Sequence, residues 1–157
     1  MSDFAHLPYR PCVGIMLLNA RGEVFTGQRI DSMVEAWQMP QGGIDEGEAP
    51  LDAALRELRE ETGVTDVSLI AQLEEWLHYD LPGHLIPKLW GGQYRGQTQR
   101  WFAFRLNADD THINIETDEP EFKAWQWIAP EQLPKMIVPF KRELYAQVVE
   151  KFAPLIA

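Results

Sequence analysis

Cysteine is almost missing from this chain: Cys12 stands alone in 157 residues. One thiol cannot make an internal disulfide framework, and such sparing use fits a reducing cytoplasm, the expected location. Cys12 belongs to the apolar run CVGIMLL and is expected in a core strand, without a nucleophilic role. Long hydrophobic runs are missing as well. The N-terminal MSDFAHLPYRP has no apolar segment of the kind a secretory signal needs. No stretch approaches the ~20 apolar residues of a membrane span, so no membrane association is expected. Basic residues are scarce: 14 Lys and Arg face 24 Asp and Glu, a net charge of −10. Such an acidic chain is unsuited to broad, sequence-independent binding of duplex DNA. It is compatible with a phosphate-rich substrate, because bound cations and a few arginines can concentrate positive charge locally. His78, His84 and His112 are scattered and lack the spacing of a transition-metal site. Repeats and linkers are missing too, which leaves one domain over residues 1–157. Nothing fixes the oligomeric state, and a monomer is the expectation.

What the chain does have is concentrated between Gly42 and Val64, GGIDEGEAPLDAALRELREETGV. Five residues separate Gly42 from Glu48 and seven separate Glu48 from Arg56. Glu57, Leu58, Glu60, Glu61, Gly63 and Val64 follow. By average residue usage such a pattern arises by chance in roughly one in ten million chains of this length, or fewer. Gly42, Gly43 and Gly47 predict a flexible loop. Pro50 suits a first helical turn, where its missing N–H costs nothing. The helix is predicted to run to about Thr62 and to stop at Gly63, which can take the left-handed conformation of a C-cap. Leu51, Leu55, Leu58 and Thr62 share one face, expected to pack on the core. Glu57, Glu60 and Glu61 cluster within about 100° on the opposite side. They repel one another, by about a few tenths of a kcal/mol for the Glu57–Glu61 spacing, and Arg56 relieves part of this from four residues before Glu60. A solvated acidic face is the plain interpretation, but it needs neither glycines at its entrance nor a Glu48 upstream. Clustered oxygen ligands suit hard divalent cations, magnesium or manganese, which would also cancel the repulsion.

These positions resemble the signature box of the Nudix hydrolases, with every specified residue filled. The resemblance implies a Nudix-type α/β/α sandwich with a mixed β-sheet. It also implies metal-dependent cleavage of a nucleoside diphosphate linked to another group. On the matching positions, Glu57, Glu60 and Glu61 would bind metal, Arg56 would orient the carboxylates and Glu48 would support the loop and helix. The resemblance extends to YRPCVGI from Tyr9, WQMPQGGI from Trp37, GQTQRWF around Gln97, EPEF from Glu119 and PFKRELY from Pro139. These segments are similar to a bacterial subfamily of RNA 5′-pyrophosphohydrolases and dinucleoside polyphosphate hydrolases. By that similarity Glu121 is a further metal ligand. The base that activates water is Glu121, Glu57 or Glu60; the choice rests on distances to a bound water. Phe140 would stack on a base and Lys141 would meet phosphate. Arg10, Arg29 and Arg142 are further candidates for phosphate contact. Gln38, Gln41, Gln99 and Arg100 are candidates for lining the same cleft, beside Gly42 and Gly43. Trp76 and Trp90 flank the central loop and are candidates for stacking a base.

The rest of the chain reads as short strands and helices interleaved without regular βαβ repetition. Cys12–Leu18 and Glu23–Arg29 read as a hairpin around Asn19–Gly22. Trp37–Met39 reads as a short strand stopped by Pro40. Val67–Tyr79 reads as one or two strands with Leu69, Ala71 and Leu73 in alternation. Leu81–Thr98 is a long loop of the kind that often carries function. In Gln99–Leu106, Phe102, Phe104 and Leu106 point one way and Trp101 and Ala103 the other. A polar loop over Asn107–Pro120, a strand Phe122–Ile128, a helical turn Pro130–Leu133 and a helix Phe140–Phe152 complete the chain. The preferred substrate is a 5′-triphosphorylated RNA end, cleaved to 5′-monophosphate RNA and pyrophosphate. The alternatives are a dinucleoside polyphosphate such as diadenosine tetraphosphate, or a catalytically inactive nucleotide-binding module of the same fold.

Overall fold

The computed structural model describes residues 4–31 and 35–156. Its centre is a pair of parallel strands. Strand β1 (Tyr9–Leu18) runs beside β6 (Gly96–Leu106) from Tyr9↔Gly96 to Leu18↔Arg105. Alternation sorts their side chains. Val13, Ile15 and Leu17 join Phe102, Phe104 and Leu106 on one face, and Met16 and Leu18 join Trp101 and Ala103 on the other. Gly14 is glycine because the Trp101 ring lies where its Cβ would stand. β6 begins at Gly96, earlier than predicted, because its first residues pair with a strand that sequence alternation did not isolate.

Each central strand divides its outer edge between two partners. Strand β2 (Val24–Arg29) meets β1 only at Leu18↔Val24, beyond a turn with Gly22 at φ 76°. The other end of β1 is taken by β3 (Gln41–Gly43), from Cys12↔Gly43 to Gly14↔Gln41. On β6, β4 (Val67–Gln72) covers the C-terminal part and β5 (Leu77–Asp80) the N-terminal part. Strand β7 (Phe122–Ile128), predicted to the residue, closes the far side on β2. The order β4-β6-β1-β2-β7, with β3 and β5 on the inner strands, makes a mixed sheet of seven strands. The ends of β2 and β3 gather with the starts of β1 and β6 at one end of this sheet.

Helices cover both faces, as expected. Helix α1 (Pro50–Thr62) packs Ala53, Ala54 and Leu58 on the Val13 face. Helix α3 (Arg142–Ile156) packs Leu144, Tyr145, Val148 and Phe152 on the Met16 face, beside the single turn α2 (Leu133–Met136). Each fully buried side chain of this size contributes about 1.5–3 kcal/mol. No described helix is long and apolar enough to cross a membrane.

Three local expectations give way. Trp37–Met39 is not a strand: only Gln38 pairs, in an isolated bridge to Gly27. The ladder resumes past Pro40, whose carbonyl accepts the Ile15 N–H at 2.9 Å. The alternation of Leu69, Ala71 and Leu73 is broken by a bulge between Leu69 and Ala71, which leaves Leu69 exposed. The last helix is entered through a tight 3₁₀ turn at Pro139–Lys141 and begins at Arg142.

Helix α3 also fixes the backbone that enters β3. The Tyr145 hydroxyl, fully buried, accepts the Met39 N–H at 2.9 Å. Tyr145→Phe would leave that N–H unpaired in the core. We expect a loss of about 1–3 kcal/mol in denaturant unfolding. Unchanged stability would show that the bond contributes nothing.

Candidate active site

The helix expected to carry the chemistry forms over the predicted residues, with a rotated buried face. Pro50 opens α1, and Gly63, at φ 73°, closes it by donating its N–H to the Arg59 carbonyl at 2.9 Å. The rows Ala54–Leu58–Thr62 and Ala53–Glu57–Glu61, each at four-residue spacing, turn inward. Leu55 stays 39% exposed, whereas Glu61 is only 5% exposed. The glutamate stripe is therefore half sunk in the protein rather than solvated. Small Ala53 and Ala54 let the helix approach the sheet so closely that the Glu57 carboxylate fills the space of a Gly42 side chain. A Cβ on Gly43 would likewise lie 2.6 Å from Arg10 Nη2. Both glycines belong to β3 and serve close approach, not loop flexibility. Gly47, at φ 79°, is the glycine here that uses left-handed freedom.

Arg56 ties the acids together. It donates Nε and Nη2 to the two Glu48 oxygens at 2.8 and 2.9 Å, and Nη1 to Glu57 at 2.9 Å and Glu60 at 3.1 Å. Its Nη2 also reaches the Gly43 carbonyl at 2.9 Å, which couples helix to strand. Glu48 in turn accepts the Asp45 N–H at 3.0 Å, and these bonds hold its carboxyl down to about 2. The inner acids behave oppositely. Burial pushes the Glu57 carboxyl up to about 7; Arg56 opposes this, and the charges of Glu60 and Glu121 reinforce it. Glu61 is raised well above the ordinary range by burial, then by Glu57 and Glu121, although its Oε2 accepts the Gln41 N–H at 3.2 Å.

The sheet register brings in Glu121. Arg29 pairs with Phe122, and the Glu121 carbonyl accepts the Ile30 N–H at 3.0 Å. The Glu121 carboxylate then lies 3.8 Å from Arg29 Nη2, while Asp31 chelates the same guanidinium at 2.8 Å. Glu57, Glu61 and Glu121 form a wall shared by two cavities. The outer one, about 550 Å³, is rimmed by Arg59, Glu60 and the loop from Thr117 to Glu119. The inner one, about 620 Å³, holds Arg10, Arg29, Gln38, Gln41, Gly42, Gly43, Phe140 and Lys141. Lys141 is 7% exposed, and its Nζ lies over the Tyr79 ring at 5.2 Å. Burial, and then Arg29, lowers it to about 8. Gln38 Nε2 is buried without a hydrogen-bond partner.

Other expectations fall outside these walls. Gln99 is fully buried behind Gln41, which accepts its Nε2 at 3.2 Å. Arg100 turns away to the Leu73 carbonyl at 2.9 Å and lies over exposed Trp76. Arg142 is exposed elsewhere. The sequence reading missed Gln97 and Tyr79, which line the inner cavity. Period-two alternation from Gln99 would have found Gln97; Tyr79 gave no signal of its own.

The donor set fits a hard divalent cation: it is all carboxylate, and two of its members, Glu57 and Glu61, are held largely out of water. Among the described residues no three His, Cys, Asp or Glu side chains converge on one point as they stand; the donors are spread along the wall. A NUDIX domain model matches residues 8–148, and the chain belongs to the Nudix hydrolases, a family that uses divalent metal ions. The chain is similar to the RNA pyrophosphohydrolase of Novosphingobium aromaticivorans, at 59% identity over 161 residues, covering 99% of this chain and 100% of that protein. The like-named protein of Roseobacter denitrificans is 56% identical over 152 residues, covering 96% and 95%. Among solved structures, Escherichia coli dihydroneopterin triphosphate pyrophosphohydrolase superposes with TM-score 0.71 at 22% identity, covering 92% of this chain and 99% of that one. A Caenorhabditis elegans Ap4A hydrolase complex gives 0.67 at 21%, covering 92% and 97%; both show the shared fold. The protein is accordingly a hydrolase of phosphoanhydride bonds, not an inactive binding module.

The raised carboxyls set a pH dependence. Between the unfolded value of 4.5 and the raised folded values, the native state keeps protons that the unfolded chain has released. Metal-free stability therefore falls as pH rises through this window toward 7 and above. Glu61→Gln removes one such acid and can keep the bond from Gln41. It should raise the metal-free melting temperature at pH 7.5, on a scale of roughly 2–4 °C per kcal/mol. The gain should shrink by pH 5. Equal melting of mutant and wild type at pH 7.5 would contradict the burial argument.

Proposed function

We propose that this protein, as one domain over residues 1–157, hydrolyses 5′-triphosphorylated RNA ends in the cytoplasm, leaving 5′-monophosphate RNA and releasing pyrophosphate. The observation that carries the reading is a carboxylate wall, with Glu57 and Glu61 buried, on the cavity that buried Lys141 also lines; Lys141 has no carboxylate partner within ion-pair distance among the described residues. The names of relatives at 56–59% identity over nearly the whole chain support RNA as the substrate. Glu57, Glu60, Glu61 and Glu121 hold divalent metal, magnesium or manganese, and Arg56 orients the first two by direct hydrogen bonds. Metal bound there supplies neutralisation of phosphate charge and acidifies water. Lys141, Arg10 and Arg29 take the polyphosphate. Gln38 offers its unpaired Nε2, and Gln41, Gly42 and Gly43 form the floor beside them. Phe140, tilted against Tyr79 at 5.8 Å, receives a base. Gln99 acts through Gln41.

In the reaction a water oxygen bonds to phosphorus, the anhydride P–O bond breaks in line, and the water proton passes to a carboxylate. We assign that proton to Glu121. The other three glutamates are engaged by Arg56 or the Gln41 N–H, whereas among the described residues the Glu121 carboxylate has only Arg29, at 3.8 Å.

Competition among a triphosphorylated oligonucleotide of a few residues, a free nucleoside triphosphate and diadenosine tetraphosphate tests the assignment. The oligonucleotide should have the highest kcat/KM. Phe140→Ala should erase most of its advantage, since stacking contributes about 1–3 kcal/mol per base. Glu57→Gln should lower all three rates at least about a hundredfold with the fold intact by circular dichroism. A tenfold or greater preference for diadenosine tetraphosphate would replace RNA with that substrate.

A further inference from the structure

The loop after β5 closes on itself. The Leu81 N–H donates to the Arg95 carbonyl at 2.8 Å, and Arg95 is pinned by Asp80 at 2.7 Å and the Ala5 carbonyl at 3.0 Å. Arg95 also lies over Tyr9 at 4.9 Å, and the Tyr9 hydroxyl donates to Asp80 at 2.9 Å. Compact loops with joined ends are frequently functional. This one gives the inner cavity Leu81, Leu85, Leu89 and Trp90. Trp90 is the one described non-glycine residue with positive φ, at 48°, and Gly91 and Gly92 follow at 68° and 71°. A bulky residue in that conformation is strained, and such strain persists where the surroundings hold it.

The indole is aimed at Arg10. Its ring centre lies 5.4 Å from the guanidinium carbon. Among the described residues that guanidinium also donates Nη1 to Cys12 Sγ at 3.5 Å, and it occupies the space of a Gly43 side chain. Among the described residues no carboxylate pairs with Arg10, whereas Asp31 chelates Arg29. The difference has a chemical sense. A carboxylate would hold the guanidinium and neutralise it, beside a wall already rich in glutamate. An aromatic face holds a cation while leaving its charge and N–H edge for a ligand.

We propose that Trp90 is a positioning residue, which fixes the Arg10 guanidinium at the inner cavity as an uncompensated phosphate clamp and so sets affinity for the polyphosphate end of the substrate. This rests on the reading that the cavity takes a polyphosphate. Steady-state kinetics on a 5′-triphosphorylated dinucleotide test it. Trp90→Leu should raise KM about tenfold with kcat within about threefold, and Trp90→Phe, which keeps a ring, should restore most of the loss. Arg10→Ala should raise KM at least as much, and adding Trp90→Leu to it should change KM less than about twofold. A merely structural loop would give neither the phenylalanine rescue nor this non-additivity. Calorimetric binding of inorganic tripolyphosphate gives the same comparison without turnover, with Kd rising about tenfold in Trp90→Leu. Wild-type protein that binds tripolyphosphate yet leaves RNA ends intact would overturn the proposed function and leave this inference standing. Unchanged KM and Kd in Trp90→Leu, or an undiminished effect in the Arg10→Ala background, would overturn this inference alone.

Discussion

Two carboxylates one helical turn apart, Glu57 and Glu61, are forced out of water against the edge of a β-sheet, and the site is arranged around that constraint. Charge leaves water at a cost unless it is paired, and these two are underpaired. Arg56 supports Glu57 from one side, and a single backbone N–H supports Glu61. Burial therefore drives both toward their protonated forms. A helix would ordinarily rotate such residues outward. Here Ala53, Ala54 and Leu58 hold the opposite rotation by packing on Val13, Ile15 and Leu17, and Gly42 leaves room for the carboxylate. Apolar burial thus holds an electrostatic arrangement that is unfavourable by itself.

The same constraint explains how a chain of net charge −10 can present a site for polyanions. Its cations are few but placed. Arg10, Arg29 and Lys141 come from β1, from the end of β2 and from the entry to α3, and the register of the sheet collects them opposite the acids. They are held by different means: Arg10 by an indole, Lys141 by burial over a phenol ring, Arg29 by a carboxylate pair. The less neutralised a cation is, the more of its field reaches a ligand. If these cations take the polyphosphate as proposed, Arg10 and Lys141 carry more of the attraction than Arg29 does.

Much of this was legible in the chain. The bounds of α1, its capping by Pro50 and Gly63, and the whole of β7 follow from local signals, as does the two-faced packing of Phe102 and Trp101. Glu121 could be singled out only through resemblance, since its neighbour Arg29 lies 92 positions earlier and is brought beside it by pairing of β2 with β7. Side-chain direction was the weaker part. Leucine spacing placed Leu55 inward, because periodicity counts apolar residues and cannot see that the sheet edge accepts Glu61 instead. Gly42 and Gly43 looked like flexibility; only the third dimension shows the Glu57 carboxylate and the Arg10 guanidinium where side chains would be. Gln99 and Gln97 share a strand face, yet one is sealed and the other lines the cavity, a distinction set by Gln41 crossing over the first.

If Glu57 and Glu61 are the metal ligands we propose, these carboxylates, which burial pushes toward their protonated forms, give up protons when metal binds. Calorimetric titration of the metal-free protein with manganese or magnesium, in two buffers of different ionisation enthalpy, measures the protons released. At pH 7 binding should release protons, and the number should fall as the pH rises further above 7. Binding at pH 7 with no proton release would contradict the account, because it would mean that Glu57 and Glu61 are already ionised and solvated.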